Sequence, residues 1–491
     1  MFELLDIASV ICALITLYAV GRWAFSKKKY PPGPWGFPVL GHLPLLGAST
    51  ETTYLKWWQS YGDVFRIRFG SWNCIVINGY EAIKDASERA DDVFSGRPNF
   101  VSSIALKEAY GGLESISFAD FSPKYRQLRK LTATALKNYM NTCDYSPEDL
   151  FVDEAGKLLQ FIDDLPFPIC DDVEIAVENV VYQMLYGKGK ESEIKSHVKL
   201  IVEASAAFVK FVSAGSIVDV VPWLKYIMKG KVEDFKKAAL ATDWITRAKI
   251  KEHKETFQKG QTRDILDALC ALSKDLPETE TADSISSQLL MYQATAIQGA
   301  GFETMSRTLQ LLLLYMAAYP ELQKRVQKEV DDVIGSKTVS CNDRSNLPYL
   351  DATIQEVMRK TTIVPFAIPH CTTADTKLRG YDIDKGTVVF FNLHSVANEK
   401  SFWGDPENFR PERFLNDNGK LDATKSSHVM PFGAGRRRCI GEVLAKMNLF
   451  ITFTSMMQRY SFIYPEASHL QASLGHSPTL EQYKLIVQRR S

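Results

Sequence analysis

One cysteine of this chain lies in a segment that restricts what the protein can fold around. Cys439 stands within PFGAGRRRCIGEVLAKMNLF at 431–450, close to Gly433, Gly435 and Gly441. Glycines let the backbone approach a flat ligand closely and adopt dihedral angles that other residues avoid. A helix is predicted to begin just after the cysteine. Its amide dipoles, with the three neighbouring arginines, predict a lowered pKa for the thiol. The segment therefore predicts a cysteine with a chemical role.

Other interpretations of this segment are weaker. A phosphate-binding loop needs GxxxxGK[ST], which the sequence does not contain. A dinucleotide-binding loop needs a third glycine at the position that Arg438 occupies. A glycine-rich loop with an inert thiol stays open on these residues alone. The eight cysteines are scattered without a CxxC pair, which disfavours a structural zinc site and a secreted disulfide scaffold.

The rest of the chain predicts a mainly α fold with a minor β portion. Residues 64–70 alternate apolar and polar side chains, and 73–78 is a second β-rich run, so a hairpin is predicted. Residues 378–393 predict further strands. Most other segments have a helical period, with Pro320 and Pro348 where helices are expected to begin.

A long apolar helix is predicted at 291–316, and it contains an unusual group of residues. Gly299 and Gly301 stand in its middle, each at a cost of about 1 kcal/mol relative to alanine. Glu303 and Thr304 are adjacent polar residues in apolar surroundings. One interpretation is a helix-packing site in which the threonine hydroxyl bonds back to a carbonyl. The other is a local opening of the helix over a bound metal.

A charged pair lies between the long helix and the cysteine segment. Glu356 and Arg359 are three residues apart, on one face of a predicted helix. Alone, they would be an ordinary surface ion pair that contributes little to stability. The segment FRPERF at 409–414, which contains Arg413, follows downstream.

In this order along the chain, the motifs resemble those of cytochromes P450. The segment Phe432–Gly441 is similar to the haem-binding loop of that family, and Ala300–Thr304 is similar to its oxygen-binding motif. The segment Glu356–Arg359, with the element at 411–414, resembles the structural lock behind the haem. The resemblance implies the cytochrome P450 fold, with this lock holding the cysteine loop.

The resemblance also implies the cofactor and the roles of five residues. The cofactor would be haem b, with Cys439 as the axial thiolate ligand of its iron. Such a thiolate pushes electron density onto the metal and favours O–O cleavage, for which the family is the standard example. Arg437 would contact a propionate, and Phe432 would pack near the sulfur. Thr304 would stabilise the iron-bound hydroperoxo group, while Glu303 would relay protons through water.

Further propionate partners are implied by position. Haem propionates need cationic partners. Arg97 and His370 match positions near the propionates in related sequences. Tyr125 and Arg129 correspond to a Trp-x-x-x-Arg element, in which this chain has a tyrosine where tryptophan is usual. Arg129 is therefore expected to contact a propionate, and Tyr125 could donate through its hydroxyl.

Electrons would come from a separate protein, since the chain has no nicotinamide or flavin motif. The resemblance implies a basic face on the proximal side, where the cysteine loop lies. Such a face would suit an acidic flavoprotein. NADPH–cytochrome P450 reductase is the implied donor, and cytochrome b5 is a second candidate. An ordinary solvated charged surface is the alternative. The basic face consists of Lys124, Arg126, Lys130, Arg436, Arg438 and Lys446.

The amino terminus predicts a membrane anchor. The apolar run at 7–21 is followed by Arg22, which can snorkel, and then by three lysines. A cleaved signal peptide would carry its positive charge before the run rather than after it. We therefore expect an N-terminal transmembrane helix within 1–26, a basic and proline-rich linker at 27–42, and a catalytic domain at 43–491. The positive-inside rule places this domain in the cytosol, on a single-pass protein of the endoplasmic reticulum membrane. The linker could be an ordinary connection or a rigid strut.

Composition excludes one class of function, and the motifs favour another. Acidic and basic residues both total 58, so nothing indicates a nucleic-acid-binding protein. The resemblance runs from Pro31 to the carboxyl end. It implies a monooxygenase that inserts one oxygen atom from O₂ into a lipophilic substrate. Residues 216–226 and 118–130 look most like steroid 17α-hydroxylases, whereas 435–446 is closer to hydroxylases of aromatic, xenobiotic compounds. A haem-thiolate isomerase or lyase, and a haem or steroid carrier without turnover, are the alternatives.

Overall fold

The alternating residues near the amino terminus form the predicted hairpin. The computed structural model describes residues 28–89, 91–112, 115–163, 169–212, 217–273, 282–464 and 485–490. Phe65 and Ile67 are buried on one side of the first strand, while Arg66 and Arg68 are exposed on the other. This alternation is the pattern expected of a strand that covers a core with one face. The strands are β1 (Val64–Phe69), β2 (Trp72–Asn78), β3 (His370–Cys371), β4 (Thr376–Leu378), β5 (Tyr381–Ile383), β6 (Val388–Asn392), β7 (Tyr460–Ile463) and β8 (Ile486–Arg489).

Strands from distant parts of the sequence combine in the larger sheet, whose order is β1-β2-β6-β3. β1 and β2 are antiparallel, β2 and β6 are parallel, and β3 pairs antiparallel with β6. Two smaller sheets are formed by β4 with β5 and by β7 with β8. The strands predicted within 378–393 are therefore confirmed. This sheet brings His370, on β3, to the segment around Gly96, which forms a bridge with Cys371.

Helices make up most of the described chain, as predicted. Pro320 and Pro348 each occupy the first position of a helix, which confirms their predicted role because that position needs no N–H donor. The helices are α1 (Thr50–Tyr61), α2 (Tyr80–Lys84), α3 (Val101–Ala109), α4 (Pro123–Thr142), α5 (Pro147–Asp163), α6 (Ile169–Tyr186), α7 (Glu191–Val212), α8 (Ile217–Val220), α9 (Lys229–Leu240), α10 (Asp243–Thr256), α11 (Ile265–Ser273), α12 (Ala282–Ala318), α13 (Pro320–Val333), α14 (Pro348–Thr361), α15 (Leu393–Ala397), α16 (Lys400–Trp403), α17 (Ala423–His428) and α18 (Glu442–Arg459).

The long helix α12 runs through the centre of the helical core. It packs against α6, α10, α11, α14 and α18. Leu309, Leu312, Leu313 and Tyr315 are all buried, although they point in different directions around the helix axis. A helix that is apolar on every side in this way is enclosed by other elements. The helix α18, which begins just after Cys439, is therefore anchored directly in the same core.

The described part of the linker lies against the domain. The backbone N–H of Asp382 donates to the carbonyl of Lys29 at 2.7 Å, and that of Arg66 donates to Pro32 at 2.7 Å. The ammonium group of Lys28 contacts the carboxylates of Asp375 and Asp384. These contacts attach the linker to β1 and to the β4–β5 hairpin.

The predicted anchor at 1–26 lies outside the described residues. Within the described ranges, no helix combines the length and apolar character needed to cross a membrane. Residues 200–212 form the end of α7, and the side chains described there stop at residue 206.

Candidate functional site

The cysteine loop is folded by close backbone contact. A short 3₁₀ turn at Gly435–Arg437 precedes Cys439, whose backbone N–H donates to the carbonyl of Phe432 at 2.9 Å. Gly435 has φ +65°, and a Cβ atom there would lie 2.0 Å from the carbonyl oxygen of Ser87. The predicted need for glycine is thus confirmed at Gly435, where both the dihedral angle and the contact exclude a side chain.

The thiol of Cys439 does not have the lowered pKa that the sequence predicts. Its side chain is reachable by solvent, yet the surrounding protein displaces enough water to raise the pKa above its ordinary value. The backbone N–H of Gly441, at the start of α18, acts in the predicted downward direction, and so do Arg129 and Arg438. The prediction is wrong for the free thiol because desolvation outweighs the helix dipole and these two cations.

The buried guanidinium group of Arg97 and the half-buried one of Arg437 lie beside the loop. Arg97 donates to the carbonyls of Ser117 and Ile368, both at 2.8 Å. Arg437 donates to the carbonyls of Ser95 and Ala119, at 2.9 and 2.7 Å. Among the described residues, neither guanidinium has a carboxylate within ion-pair distance.

The environment of this pair is unfavourable for positive charge. Burial, followed by repulsion from Arg437, lowers the pKa of Arg97 to about 9, and Asp120 offsets only part of this effect. Burial also lowers the pKa of Arg437. Two desolvated cations without an anionic partner are costly, so an anion bound here would be strongly stabilised.

The remaining predicted propionate partners occupy different positions. His370 is buried, and its Nδ1 lies 2.7 Å from the carbonyl of Phe94, which can only accept a proton. Burial and the nearby Arg97 hold the pKa of His370 well below its usual range, so the ring is neutral at pH 7. The ring of Tyr125 lies under Arg437, with 3.8 Å from the guanidinium carbon to the ring centroid. Its buried hydroxyl has no hydrogen-bond partner among the described residues.

Arg129 is directed towards the cysteine loop rather than the buried pair. Its guanidinium donates to the backbone carbonyl of Arg438. This bond ties helix α4 to the residue immediately before Cys439. The predicted contact of Arg129 with a propionate stays a prediction.

The long helix passes over this region without a break. All residues from Ala282 to Ala318 are helical, and the hydroxyl of Thr304 donates to the carbonyl of Ala300 at 2.8 Å. Of the two interpretations, the local opening of the helix is therefore wrong for this structure, whereas the threonine hydroxyl that bonds back to a carbonyl is present. Burial raises the pKa of Glu303, and Arg307 partly opposes this effect.

The charged pair of α14 is the centre of a buried network. The side chain of Arg359 is fully buried, and it donates to both carboxylate oxygens of Glu356 at 2.7 and 2.8 Å. Arg413 donates to the same carboxylate at 3.1 Å. Glu356, Arg359 and Arg413 therefore form the predicted network, and the interpretation of Glu356 and Arg359 as an ordinary surface ion pair is wrong.

Several groups of the network and the site could not be found in the sequence. Arg359 also donates to the carbonyl of Ala397, and Arg413 to that of Trp403. The acceptors of Arg97 and Arg437 are likewise backbone carbonyls. Any residue can supply a carbonyl, so no residue type marks such positions. Asp405, which contacts Arg413 at 3.1 Å, did carry a possible signal as an acid close to the FRPERF segment.

The middle of the long helix and the cysteine loop each have a glycine without close neighbours. Gly299 and Ala300 are exposed although most of the described side chains of α12 are buried. A Cβ atom added at Gly299 or at Gly433 would meet no described atom within 4 Å. Each of these two backbone positions is therefore free for close approach by a ligand.

Comparison with known proteins identifies the family. A model of the cytochrome P450 family matches residues 31–485. The cytochrome P450 1A1 of Felis catus is 34% identical over 496 residues, which cover 98% of this chain and 95% of the relative. The cytochrome P450 1A1 of Homo sapiens is 33% identical over 475 residues, which cover 94% of this chain and 92% of the relative. The chain therefore belongs to the cytochrome P450 family and is a monooxygenase whose cofactor is haem bound through a cysteine thiolate.

The residues of the site fit this cofactor. A flat macrocycle requires backbone that it can approach closely, and the cysteine loop offers this at Gly433, where a Cβ atom would meet no described atom. Its carboxylates require cations, and the buried Arg97 with the half-buried Arg437 forms a pair that lacks an anion among the described residues. The buried hydroxyl of Tyr125 supplies a further unsatisfied donor.

Replacement of Gly435 by alanine tests whether the close contact shapes the loop. We expect G435A to lose more stability and bound haem than G433A, because both positions have positive φ but only Gly435 faces the Ser87 carbonyl. The dihedral strain alone amounts to about 1–2 kcal/mol and is common to both variants. Thermal unfolding and the ratio of haem to protein measure the difference. Equal losses in the two variants would show that the Ser87 contact is unimportant.

Proposed function

We propose that this protein inserts one oxygen atom from O₂ into a C–H bond of a lipophilic substrate, with Cys439 as the residue that would hold the cofactor iron. The observation that carries the assignment is the pair of Arg97 and Arg437 beside the Cys439 loop, whose guanidinium groups have no carboxylate partner among the described residues. Haem supplies the oxygen-activating chemistry when it is bound, and a thiolate ligand favours O–O cleavage. The second oxygen atom leaves as water, which requires two electrons and two protons from outside the substrate.

Individual side chains would have different roles in holding the cofactor and the cysteine loop. Arg97 and Arg437 would bind the cofactor carboxylates, and the hydroxyl of Tyr125 would donate to one of them. His370 would keep the carbonyl of Phe94 in place through its Nδ1–H. Phe432 would pack beside the sulfur ligand, since the Phe432 carbonyl already holds the cysteine N–H.

Thr304 and Glu303 would manage protons on the opposite side. The Thr304 hydroxyl can turn from the Ala300 carbonyl and donate to a group in the open space, because its Oγ1 is partly accessible. Glu303 has a raised pKa, so its carboxyl group retains a proton to a higher pH than an exposed glutamate would. Water could connect the two groups, which are adjacent in sequence but point about 100° apart around the helix.

Replacement of Cys439 by histidine tests the ligand. We expect C439H to lose the red-shifted thiolate Soret band of the reduced carbon monoxide complex, because imidazole donates less electron density than a thiolate. The variant C143S, which changes a partly buried cysteine immediately after α4, is the matched control and should keep the band. A thiolate spectrum in C439H would remove Cys439 as the ligand.

Replacement of Thr304 by alanine tests proton delivery. We expect T304A to bind haem normally but to yield up to about 100-fold less product for each NADPH consumed, the lower end of the range for general acid–base groups, and to release peroxide. T308A is the matched control, because the Thr308 hydroxyl bonds to the Thr304 carbonyl one turn further along α12 at 2.7 Å. Unchanged coupling in T304A, or an equal loss in T308A, would count against the proposed role.

The substrate class and the rival activities are addressed by binding and turnover. We propose a steroid, with 17α-hydroxylation as one case, or an aromatic, xenobiotic compound. A spectral binding screen with steroids, polycyclic aromatics and fatty acids distinguishes these classes. Product that requires NADPH and reductase supports the monooxygenase. Product from a hydroperoxide alone indicates an isomerase or lyase, and ligand binding without reductant consumption indicates a carrier.

We also propose that the domain lies on a membrane, next to the predicted anchor at 1–26. Trp35 is 95% exposed and Trp223 is 56% exposed, each among other apolar side chains. The two segments adjoin, since Gly70 bonds to the carbonyl of Leu40 and Ser71 to that of Val220. An exposed apolar surface of this kind favours contact with lipid. The membrane would be that of the endoplasmic reticulum, with the domain in the cytosol.

Quenching by brominated lipid tests this orientation. In full-length protein bound to phosphatidylcholine vesicles, W35S and W223S should each remove part of the lipid-quenched tryptophan emission, because these rings would reach the headgroups. W244S is the control, since Trp244 is 53% exposed on α10. Lipid quenching that is lost in W244S, and kept in the other two variants, would place a different surface on the membrane.

A further inference from the structure

One carboxylate links helix α4 to the cysteine loop on the outer surface. Asp92 contacts the guanidinium of Arg126 at 3.4 Å and that of Arg436 at 2.8 Å. The two arginine side chains are more exposed than the carboxylate between them. One negative charge therefore faces two positive charges of the basic face, and the local sum is +1 rather than +2.

A second carboxylate repeats this arrangement at the start of α18. Glu442 accepts two hydrogen bonds from the guanidinium of Arg438, at 2.7 and 2.9 Å. It accepts a third from the ammonium of Lys446 at 2.7 Å. Lys446, one turn further along α18, lies on the same side of the helix as Glu442, whereas Arg438 reaches it from the loop before the helix. The neighbouring Val443 is 55% exposed, so an apolar side chain lies among these charges.

The two arrangements belong to one surface. Arg129 of α4 donates to the backbone carbonyl of Arg438. This hydrogen bond joins helix α4, with its cations, to the cysteine loop. Lys124 and Lys130 are exposed on α4, and neither forms an ion pair with a described residue. The six cations of the basic face thus include four that share two carboxylates, so these two carboxylates reduce the positive charge of the face.

We propose that Asp92 and Glu442 weaken the attraction between the basic face and an acidic redox partner. This inference rests on the proposed supply of electrons by such a protein. Association of charged proteins is steered by the summed field of a surface, which the two carboxylates reduce. Both carboxylates are less exposed than the cations they contact, so a partner meets the cations first and contact geometry is preserved. The carboxylates therefore lower the association rate constant of the partner without covering the surface that it binds.

The test measures binding of the haem-loaded, full-length protein to the FMN domain of a NADPH–cytochrome P450 reductase. D92N and E442Q should each raise the association rate constant about three- to tenfold at low salt, since rim charges act mainly on this rate. The gain should nearly disappear in about 1 M salt, where the screening length is about 3 Å instead of about 30 Å at 0.01 M. Both variants must keep the thiolate Soret band, because Glu442 lies near Cys439.

E191Q is the matched control. Glu191 forms an ordinary i,i+4 ion pair with Lys195 at 2.8 Å on α7, which is not part of the basic face. An equal gain in E191Q, or wild-type rates in D92N and E442Q, would overturn the inference while leaving reductase binding intact. Stronger binding of the variants to phosphatidylserine vesicles, but not to the FMN domain, would also overturn it. A wild-type protein that does not bind the FMN domain would instead overturn the proposed electron supply, and this inference with it.

Discussion

The structure depends on three charged side chains that have no access to water. Glu356, Arg359 and Arg413 lie in the core, where transfer of isolated charges from water would cost several kcal/mol each. They are tolerated because the carboxylate receives donors from both arginines, and the remaining guanidinium protons reach backbone carbonyls. Those carbonyls belong to the irregular segment between α15 and the cysteine loop. The network therefore fixes a stretch of chain that has little regular structure of its own.

A second group of charges, the guanidinium groups of Arg97 and Arg437, lies beside the cysteine loop. In contrast to the lock, it has no carboxylate partner among the described residues. Among the described residues, the hydrogen-bond acceptors of the Arg97 and Arg437 guanidinium groups are backbone carbonyls, and repulsion from Arg437 adds to the burial that lowers the pKa of Arg97. In the lock, every charge is matched within the protein, so it contributes to a unique geometry. If the cofactor supplies the anion for the arginine pair, as proposed, folding and cofactor binding would be linked through the same two side chains.

The sequence predicted the elements whose causes are local. Alternation in β1 and prolines at the first positions of α13 and α14 depend on neighbouring residues, and these predictions are confirmed. The thiol pKa and the continuity of α12 were predicted incorrectly, because desolvation of Cys439 and the carbonyl that accepts from Thr304 depend on the packed structure. The hydrogen-bond partner of Arg129 could not be predicted from the sequence either, since its acceptor is a backbone oxygen and any residue can supply one. Roles of individual side chains toward the cofactor stay predictions.

The attachment of the linker limits how the protein could meet its substrate. Lys28 and Lys29 are bonded to the β4–β5 hairpin, so an anchor ending at residue 26 would leave only residue 27 as free chain. The two extended Cα–Cα steps from residue 26 to residue 28 span about 7 Å, which is close to the thickness of one headgroup layer. So short a connection would hold the domain next to the bilayer surface. Lipophilic molecules would then arrive by lateral diffusion within the lipid, and their partition coefficient, rather than their solubility in water, would set the concentration that the enzyme experiences.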